Sequence, residues 1–176
     1  MKKVFISFYH GDDQYKRDIE HLFSDLYHVF ISNSVQEDDI HPNTNTEAIR
    51  QRIRDVYLRD SSVTIVLVGN ETWKRKHVDW EIASSIRQTN FNPRSGLLGI
   101  LLPTYRKINN RHNPFTIPPR LHANILCKYA KLYNWSEDPD EVHVWIGKAF
   151  ERSQRLIPDN SLTAFARNRT GSQWRP

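Results

Sequence analysis

Hydrophobic residues along this chain fall into short runs that are typical of buried β-strands. A run of apolar, often β-branched residues without polar alternation indicates a strand covered on both faces of a sheet. The sequence has four such runs, at Lys3–Phe8, His28–Ser32, Val63–Val68 and Leu97–Pro103. A last, edge strand is predicted over Asn124–Leu132.

The segments between these runs have the periodicity of helices. Apolar residues three and four apart predict helices with one buried face: Tyr15, Ile19, Leu22, Phe23 and Leu26; then Ile49, Ile53, Val56 and Tyr57; then Val78, Ile82 and Ile86. A further helix is predicted from Asp138-Pro139-Asp140-Glu141, which offers an N-cap, a proline at the first helical position and acids in the first turn. Its expected buried face is Val142, Trp145 or Ile146, Ala149 and Phe150.

Strands that alternate with helices and are apolar throughout favour a parallel sheet covered on both faces. Right-handed crossovers then give an α/β fold, a flavodoxin-like three-layer α/β/α sandwich with a mostly parallel central sheet. The 176 residues suffice for one well-cored domain, predicted over residues 1–157. Thr104–Pro119 is rich in proline and is expected to be irregular, and the polar segment 158–176 is predicted to be a flexible tail.

Composition indicates a folded chain, its expected compartment and its expected classes of partner, but it indicates no activity. Hydrophobic content of 38% and charged content of 26% favour a folded chain. Cys127 is alone, so no internal disulfide can form and a reducing cytoplasm is expected. No apolar run could span a membrane and no signal peptide precedes the first strand, so no membrane partner is expected. The net charge of +5 is spread among interleaved acids, and nucleic acid is not expected as a partner.

The loops after the first three strands should meet at one edge of the sheet. Parallel strands end at the same edge, so Phe8–Asp13, Asn33–Asn45 and Gly69–His77 are expected to converge there. Glu81 follows the third loop, in the first turn of a helix predicted to begin near Val78. A glutamate at this position also has a plain explanation, because the helix dipole favours acids in the first turn.

Several segments of the chain resemble a known family. A strand, a short loop and an aromatic-Glu-Ile sequence that opens a helix, here around Glu81, are similar to the glutamate motif of TIR (Toll/interleukin-1 receptor) domains. The sequence looks most like the TIR-like subunit of the bacterial Thoeris anti-phage system. The matching segments are Lys3–His10, Ser62–Gly69, Glu71–Arg75 and Val78–Arg87, within a resemblance that extends over Lys2–Tyr133.

This resemblance implies an enzyme that consumes NAD+. In enzymatic TIR domains the glutamate of the motif is the catalytic residue of NAD+ cleavage, and here that position is Glu81. The Thoeris resemblance further implies an ADP-ribose-derived, cyclic signalling nucleotide that activates a separate effector protein. NAD+ is then a substrate, and no cofactor or metal is expected. TIR enzymes commonly complete the site by packing protomers, which implies a homo-oligomer in which Asn33–Asn45 serves both assembly and substrate.

The converging loops carry residue types that suit a nucleotide. Bases need aromatic stacking, phosphates need backbone amides or cations, and ribose hydroxyls need an acceptor. The expected pocket residues come from all three loops: Ser7, Phe8, Tyr9, Asn33, Ser34 and Trp73. Phe8 fits a plain core position equally well, and a structural role is favoured for Trp80. Many TIR domains have Trp where this chain has His77, so the role of His77 stays open.

Other functions lack their sequence signature. A phospho-receiver domain needs an aspartate at the end of the third strand, where this chain has Val68-Gly69-Asn70. No glycine-rich dinucleotide or P-loop motif occurs, no histidine pair has metal-binding spacing, and no nucleophile elbow could start a Ser-His-Asp triad. The main alternative is a TIR-like adaptor that binds another TIR surface and catalyses nothing. Replacing Glu81 by Gln would separate the two, because an adaptor would tolerate the change.

Overall fold

A computed structural model describes residues 3–24, 30–31 and 45–176. Its centre is a parallel sheet of five strands in the order β2-β1-β3-β4-β5. The strands are β1 Val4–Ser7, β2 Phe30–Ile31, β3 Val63–Val68, β4 Gly96–Leu101 and β5 Ala130–Asn134. This order, with crossovers that carry helices, is the flavodoxin-like α/β topology predicted from the hydrophobic runs. The strands prove to be parallel throughout.

Helices cover both faces of the sheet and complete three layers. They are α1 Asp13–Phe23, α2 Thr46–Arg52, α3 Lys76–Ser85, α4 Pro119–Leu126 and α5 Pro139–Arg155. Buried residues of α1 and α5 pack against alternate residues of β1, β3 and β4, such as Ile6 and Ile65. The intervening residues, such as Phe5 and Val66, pack against the helices of the other face, α2, α3 and α4. This alternation is the period-two pattern of a strand buried on both sides.

The strand register brings the carboxyl ends of the strands to one edge. Ser7 pairs with Val66 across β1 and β3, and Leu101 pairs with Val68 and with Asn134 across β3, β4 and β5. Loops that follow these positions therefore share one side of the domain, which is where open α/β sheets bind ligands.

Helix α5 packs unusually close to the sheet at Gly96. A Cβ atom at this position would overlap the backbone carbonyl of Ala149 in α5. The side chain of Asp138 accepts a hydrogen bond of 2.9 Å from the Asp140 amide, so the predicted cap and Pro139 do start the helix. Val142, Trp145, Ile146 and Ala149 are buried, and Phe150 is partly buried, as the spacing predicts.

The predicted edge strand over Asn124–Leu132 is wrong in its first half. Residues 119–126 form α4, and β5 begins only at Ala130. Pro118-Pro119 suggested an irregular segment, yet a proline in the first turn is compatible with a helix because its missing N–H needs no partner there. The segment of residues 104–118 is otherwise irregular, apart from a tight turn at residues 108–111 and a short 3-10 turn at Pro114–Thr116.

The predicted inward position of Val56 is also wrong, since its side chain is 62% exposed. Ile53–Tyr57 forms a π-helical turn, in which the Leu58 amide bonds the Ile53 carbonyl at 3.0 Å. The extra residue in the turn shifts the helical phase. Arg54 becomes fully buried instead, and it donates to the Leu58 carbonyl and to Ser61 Oγ. Burial lowers the pKa of Arg54 to about 10.

Candidate active site

The carboxyl group of Glu81 lies inside the domain against the end of the central strands. Ser7 is the last residue of β1, and its hydroxyl donates a hydrogen bond of 2.6 Å to Glu81 Oε2. This length is typical of a hydroxyl that donates to a carboxylate. Both side chains have 0% exposure. The structure thus brings together two predicted site residues that are 74 positions apart in the sequence.

Helix α3 begins earlier than the apolar spacing predicts, and this changes the interpretation of Glu81. The helix starts at Lys76, so its first-turn acid is Asp79, and Glu81 lies in the second turn. The attraction between a carboxylate and the helix dipole falls off within the first turn. The helix dipole therefore does not explain a glutamate at this position.

His77 links the loop after β1 to the start of α3. Its Nε2 donates to the Phe8 carbonyl oxygen at 3.0 Å, since a carbonyl can only accept. Its ring stacks on His10 with centroids 5.2 Å apart, and the side chain is 2% exposed. At the position where many TIR domains have Trp, this chain has a residue that both packs and hydrogen-bonds.

The predicted aromatic pocket residues occupy different environments. Phe8 belongs to the core between the sheet and α1, whereas Ser7 contacts α3 on the other face. Tyr9 is half-buried, and the guanidinium of Arg75 lies 4.1 Å from its ring centroid. Trp73 is 2% exposed, with Lys74 Nζ 5.5 Å from its ring centroid. Aromatic rings and cations of the first and third loops therefore do lie together, as the convergence of these loops predicts.

Two predicted pocket residues, Asn33 and Ser34, lie outside the described residues, as does the loop between them and Asn45. Asn45 itself caps α2, because its side chain accepts a hydrogen bond of 2.9 Å from the Glu47 amide.

Trp80 has the structural role favoured for it. It packs in a cluster with Phe5 and donates from Nε1 to the Phe165 carbonyl at 2.9 Å.

The loop after β1 holds a second carboxyl group, that of Asp12. Asp12 occupies the N-cap of α1, but its side chain makes no capping hydrogen bond. Its Oδ2 is buried, has no hydrogen-bond partner among the described residues, and lies against Gly69 at the end of β3. Burial, and to a lesser extent the charge of Glu71, raise the pKa of Asp12. A carboxyl group shifted towards its neutral form thus stands at the edge of the sheet where Ser7 ends β1.

The segment 158–176, predicted to be a flexible polar tail, lies along α3 and makes specific hydrogen bonds to it. Asn168 Oδ1 accepts from the Lys76 amide at 2.8 Å, which satisfies one of the free amides at the start of the helix. The Phe165 amide donates to Asp79 Oδ2 at 2.9 Å, and Phe165 is 7% exposed. The Arg169 amide bonds the Lys74 carbonyl at 2.7 Å. The composition of this segment gave no indication of these contacts.

A buried ion pair connects the same helix to α4. Arg120 donates from Nε to Asp79 Oδ1 at 2.9 Å, and from its second terminal nitrogen to Oδ2 at 3.3 Å. Arg120 is 0% exposed and Asp79 is 3% exposed. Arg120 also donates to Asn160 Oδ1, and Asn160 in turn donates to the Ala83 carbonyl of α3. The helix that carries Glu81 is therefore held by β1, by α4 and by the C-terminal segment.

The described residues offer neither a metal site nor a membrane-spanning helix. Within residues 3–24, 30–31 and 45–176, no group of three or more His, Cys, Asp and Glu side chains could hold a metal ion. In the same part of the chain, no helix combines the length and apolar character that crossing a membrane requires.

Comparison with known proteins identifies the family. Residues 5–107 match the sequence model of a family described as "Thoeris protein ThsB, TIR-like domain". No curated protein matches the chain significantly. The matched range is more than half of the chain, and it contains Ser7, Tyr9, Trp73, His77 and Glu81. The chain therefore belongs to the TIR-like domain family of the Thoeris protein ThsB, and this membership supports a TIR-type role in anti-phage defence.

Proposed function

We propose that this protein cleaves the bond between nicotinamide and ribose in NAD+, and that it releases an ADP-ribose-derived, cyclic signalling nucleotide that activates a separate effector. The observation that carries this proposal is the buried contact between Glu81 and Ser7 at the carboxyl ends of the central strands. This contact fixes the orientation of the Glu81 carboxylate at the edge where parallel α/β sheets bind their ligands.

A single carboxylate suits this reaction. Most glycosidases use a second carboxyl group to protonate the leaving oxygen. Nicotinamide departs differently, because the electrons of the broken C–N bond neutralise the positive charge of its own ring. The remaining demand is stabilisation of the developing positive charge on the ribose, which a fixed carboxylate such as Glu81 supplies. The Ser7 hydroxyl orients this carboxylate. Attack on the ribose by water gives hydrolysis, and attack by a group of the same nucleotide gives a cyclic product.

The complete burial of Glu81 sets a condition on this mechanism. A substrate can reach a side chain with 0% exposure only after the residues that cover it move. The proposal therefore includes an activating event that opens the site, with packing of TIR-like protomers into a homo-oligomer as the source of the missing surface. The loop Asn33–Asn45 is assigned to this assembly on the family resemblance alone.

The decisive experiment measures NAD+ by chromatography with mass detection. Purified protein and lysates of phage-infected cells that express it are compared for wild type, Glu81→Gln and Glu71→Gln. Glu71 is a matched control, since it is a nearby glutamate that is 41% exposed and pairs with Lys74 and Arg75. We expect loss of NAD+ and a new ADP-ribose-related product in wild type and Glu71→Gln, and neither in Glu81→Gln. Absence of turnover in wild type under both conditions, with folded protein, would refute the enzymatic proposal.

The burial of Glu81 also favours a second candidate, a TIR-like adaptor that acts by binding another TIR surface. In that case Glu81 is a structural residue bonded to Ser7. If the protein is an adaptor, Glu81→Gln should preserve phage protection without any change in NAD+. If it is an enzyme, Glu81→Gln should lose both phage protection and NAD+ consumption.

A further inference from the structure

A cleft lies at the carboxyl edge of the sheet, beside β4 and β5 and therefore at the opposite side of the sheet from β2. It has a volume of about 780 Å³ and is formed where β4 and β5 end, by residues that include Leu101, Tyr133 and Asn134. The segment after β4 and the first turn of α5, which contributes Glu141, form the other walls. The residues that line this cleft do not include Ser7, His77 or Glu81.

The wall contributed by the segment after β4 is preorganised by a tight turn. Ile108 and Arg111 exchange two backbone hydrogen bonds, each of 3.0 Å. The residues between them, Asn109 and Asn110, both have positive φ, of 51° and 58°. This is the geometry of a two-residue type I′ hairpin, and asparagine is among the residues that adopt it most readily.

The side chain of Asn70 anchors the same segment to the end of β3. Its Nδ2 donates to the Thr104 carbonyl at 2.8 Å, and its Oδ1 accepts from the Arg106 amide at 2.9 Å. The hairpin is therefore fixed at its base as well as at its turn. Side chains on it are presented to the cleft at low conformational cost, which is the basis of preorganised binding.

The hairpin gives the cleft a cationic wall. Lys107, Arg111 and His112 line it, and among the described residues none of the three forms an ion pair. Lys107 Nζ is held at 2.7 Å by Asn134 Oδ1, a neutral acceptor that leaves its charge uncompensated. Burial, and then the charge of Lys107, lower the pKa of His112. Lys107 and Arg111 therefore supply the positive charge, and His112 supplies a neutral imidazole.

The floor of the cleft is aromatic and contains an unsatisfied polar atom. Tyr133 and Trp145 stack with centroids 4.3 Å apart, and Trp135 is half-buried beside them. The Tyr133 hydroxyl is buried and has no hydrogen-bond partner among the described residues. The stacked rings and Trp135 thus give the cleft an aromatic surface on which a flat ring can stack.

We propose that this cleft binds a nucleotide. Lys107 and Arg111 pair with its phosphates, Trp135 stacks on its base, and Glu141 accepts hydrogen bonds from its ribose hydroxyls. Lysine and arginine are standard phosphate ligands, and stacking on an aromatic ring holds any base. A carboxylate on the ribose has the same role in dinucleotide-binding folds. This binding is independent of the proposed cleavage at Glu81, because the two sites share none of these residues.

Calorimetric titration of the full chain with ADP tests the proposal, with inorganic phosphate and adenosine as separate probes. The variants are Lys107→Ala combined with Arg111→Ala, Arg17→Ala as a control on an arginine that is 63% exposed, and Glu81→Gln. We expect wild type and Arg17→Ala to bind ADP alike. The double variant should bind at least about tenfold more weakly, since two charge-assisted contacts are lost.

Each probe has an outcome that overturns the proposal. Equal affinity for phosphate and ADP would show that the cleft binds anions and does not recognise the nucleoside. Equal affinity for adenosine and ADP would show that Lys107 and Arg111 do not bind the phosphates. Loss of ADP binding in Glu81→Gln but not in the double variant would place the nucleotide at the other site. Lys107 and Arg111 are both exposed, and circular dichroism of the double variant should match wild type. Absence of ADP binding to wild type refutes the proposal whatever the outcome of the NAD+ assay.

Discussion

Replacing Arg120 by methionine tests whether the buried pair with Asp79 holds the helix of Glu81 in place. The change removes two hydrogen bonds to Asp79, of 2.9 and 3.3 Å, and one of 2.8 Å to Asn160. Methionine fills much of the same volume, so the main effect is electrostatic. Asp79 keeps the Phe165 amide as a donor, but its buried charge loses the one cation bonded to it among the described residues, and Arg50 interacts with it only over a longer range.

The expected loss of stability is large. Removing one partner of a buried ion pair costs about 3–5 kcal/mol, because the other charge is left uncompensated in a poorly solvated site. The total free energy of unfolding of a domain is only about 5–15 kcal/mol. For a chain of this size, each kcal/mol lowers the melting temperature by about 2–4 °C. Arg120→Met should therefore melt roughly 6–20 °C below wild type.

Urea denaturation followed by circular dichroism measures this loss, and Arg17→Met is the matched control. Arg17 pairs with Asp13 at 3.2 Å, but the two side chains are 63% and 45% exposed. An exposed pair contributes about 0–1 kcal/mol, so the control should stay within that range. If Arg120→Met cost no more than Arg17→Met, the buried pair would not hold α3.

A second variant separates the lost charge pairing from lost packing. Combining Arg120→Met with Asp79→Asn removes both charges and keeps a side chain of similar shape. Replacing a whole buried pair by neutral groups is far less costly than breaking it. We expect the double variant to recover part of the stability that Arg120→Met loses. A further decrease would show that the contribution of Asp79 lies in its bond to the Phe165 amide and not in the pair.

Three other changes test separate parts of the structure. Gly96→Ala should destabilise the domain by about 1–3 kcal/mol, because its methyl group would overlap the Ala149 carbonyl, and an unchanged denaturation midpoint would contradict this close approach. Burial raises the pKa of Asp12, so the folded chain binds more protons than the unfolded chain above about pH 4, and stability falls as pH rises through this window. Asp12→Asn should therefore gain stability relative to wild type as pH rises from about 4 to 7. A difference in the free energy of unfolding between the two proteins that does not change with pH would contradict the titration of Asp12. Ser7→Ala should lower NAD+ turnover by about ten- to a hundredfold, less than Glu81→Gln, and equal turnover in Ser7→Ala and wild type would exclude an orienting role.

The sheet could be predicted from sequence because its strands are buried on both faces. Val63–Val68 has β-branched residues at five of its six positions, and all six are buried. Such a run has few alternatives to a central strand. The same pattern fails at the edge of the sheet. In β5, Ala130 is buried while Lys131 and Asn134 are exposed, so no continuous apolar run marks the strand, and Asn124–Leu126 was assigned to it instead of to α4.

The candidate site could be predicted to the extent that topology determines it. Parallel strands bring the ends of β1 and β3 together, and this is sufficient to predict that the loops after them converge near Glu81. The pair of Asp79 and Arg120 could not be predicted, because two residues 41 positions apart carry no joint signal in a single sequence. A charged residue on a helix is also usually exposed, so the burial of both was unexpected. Asp12 was missed for a related reason, since its burial depends on the close approach of Gly69.

The position of Glu81 depends on parts of the chain that the family match does not include. Residues 5–107 contain β3, β4, α3 and all of β1 except Val4, and so they contain the contact of Glu81 with Ser7. Arg120 and Phe165, which bond Asp79 two residues before Glu81 on α3, lie beyond that range. Within the matched range alone, Asp79 would lack these partners, and breaking a buried ion pair costs about 3–5 kcal/mol of a total stability of about 5–15 kcal/mol. The glutamate motif therefore identifies the residue, but α4 and the C-terminal segment hold the helix that positions it.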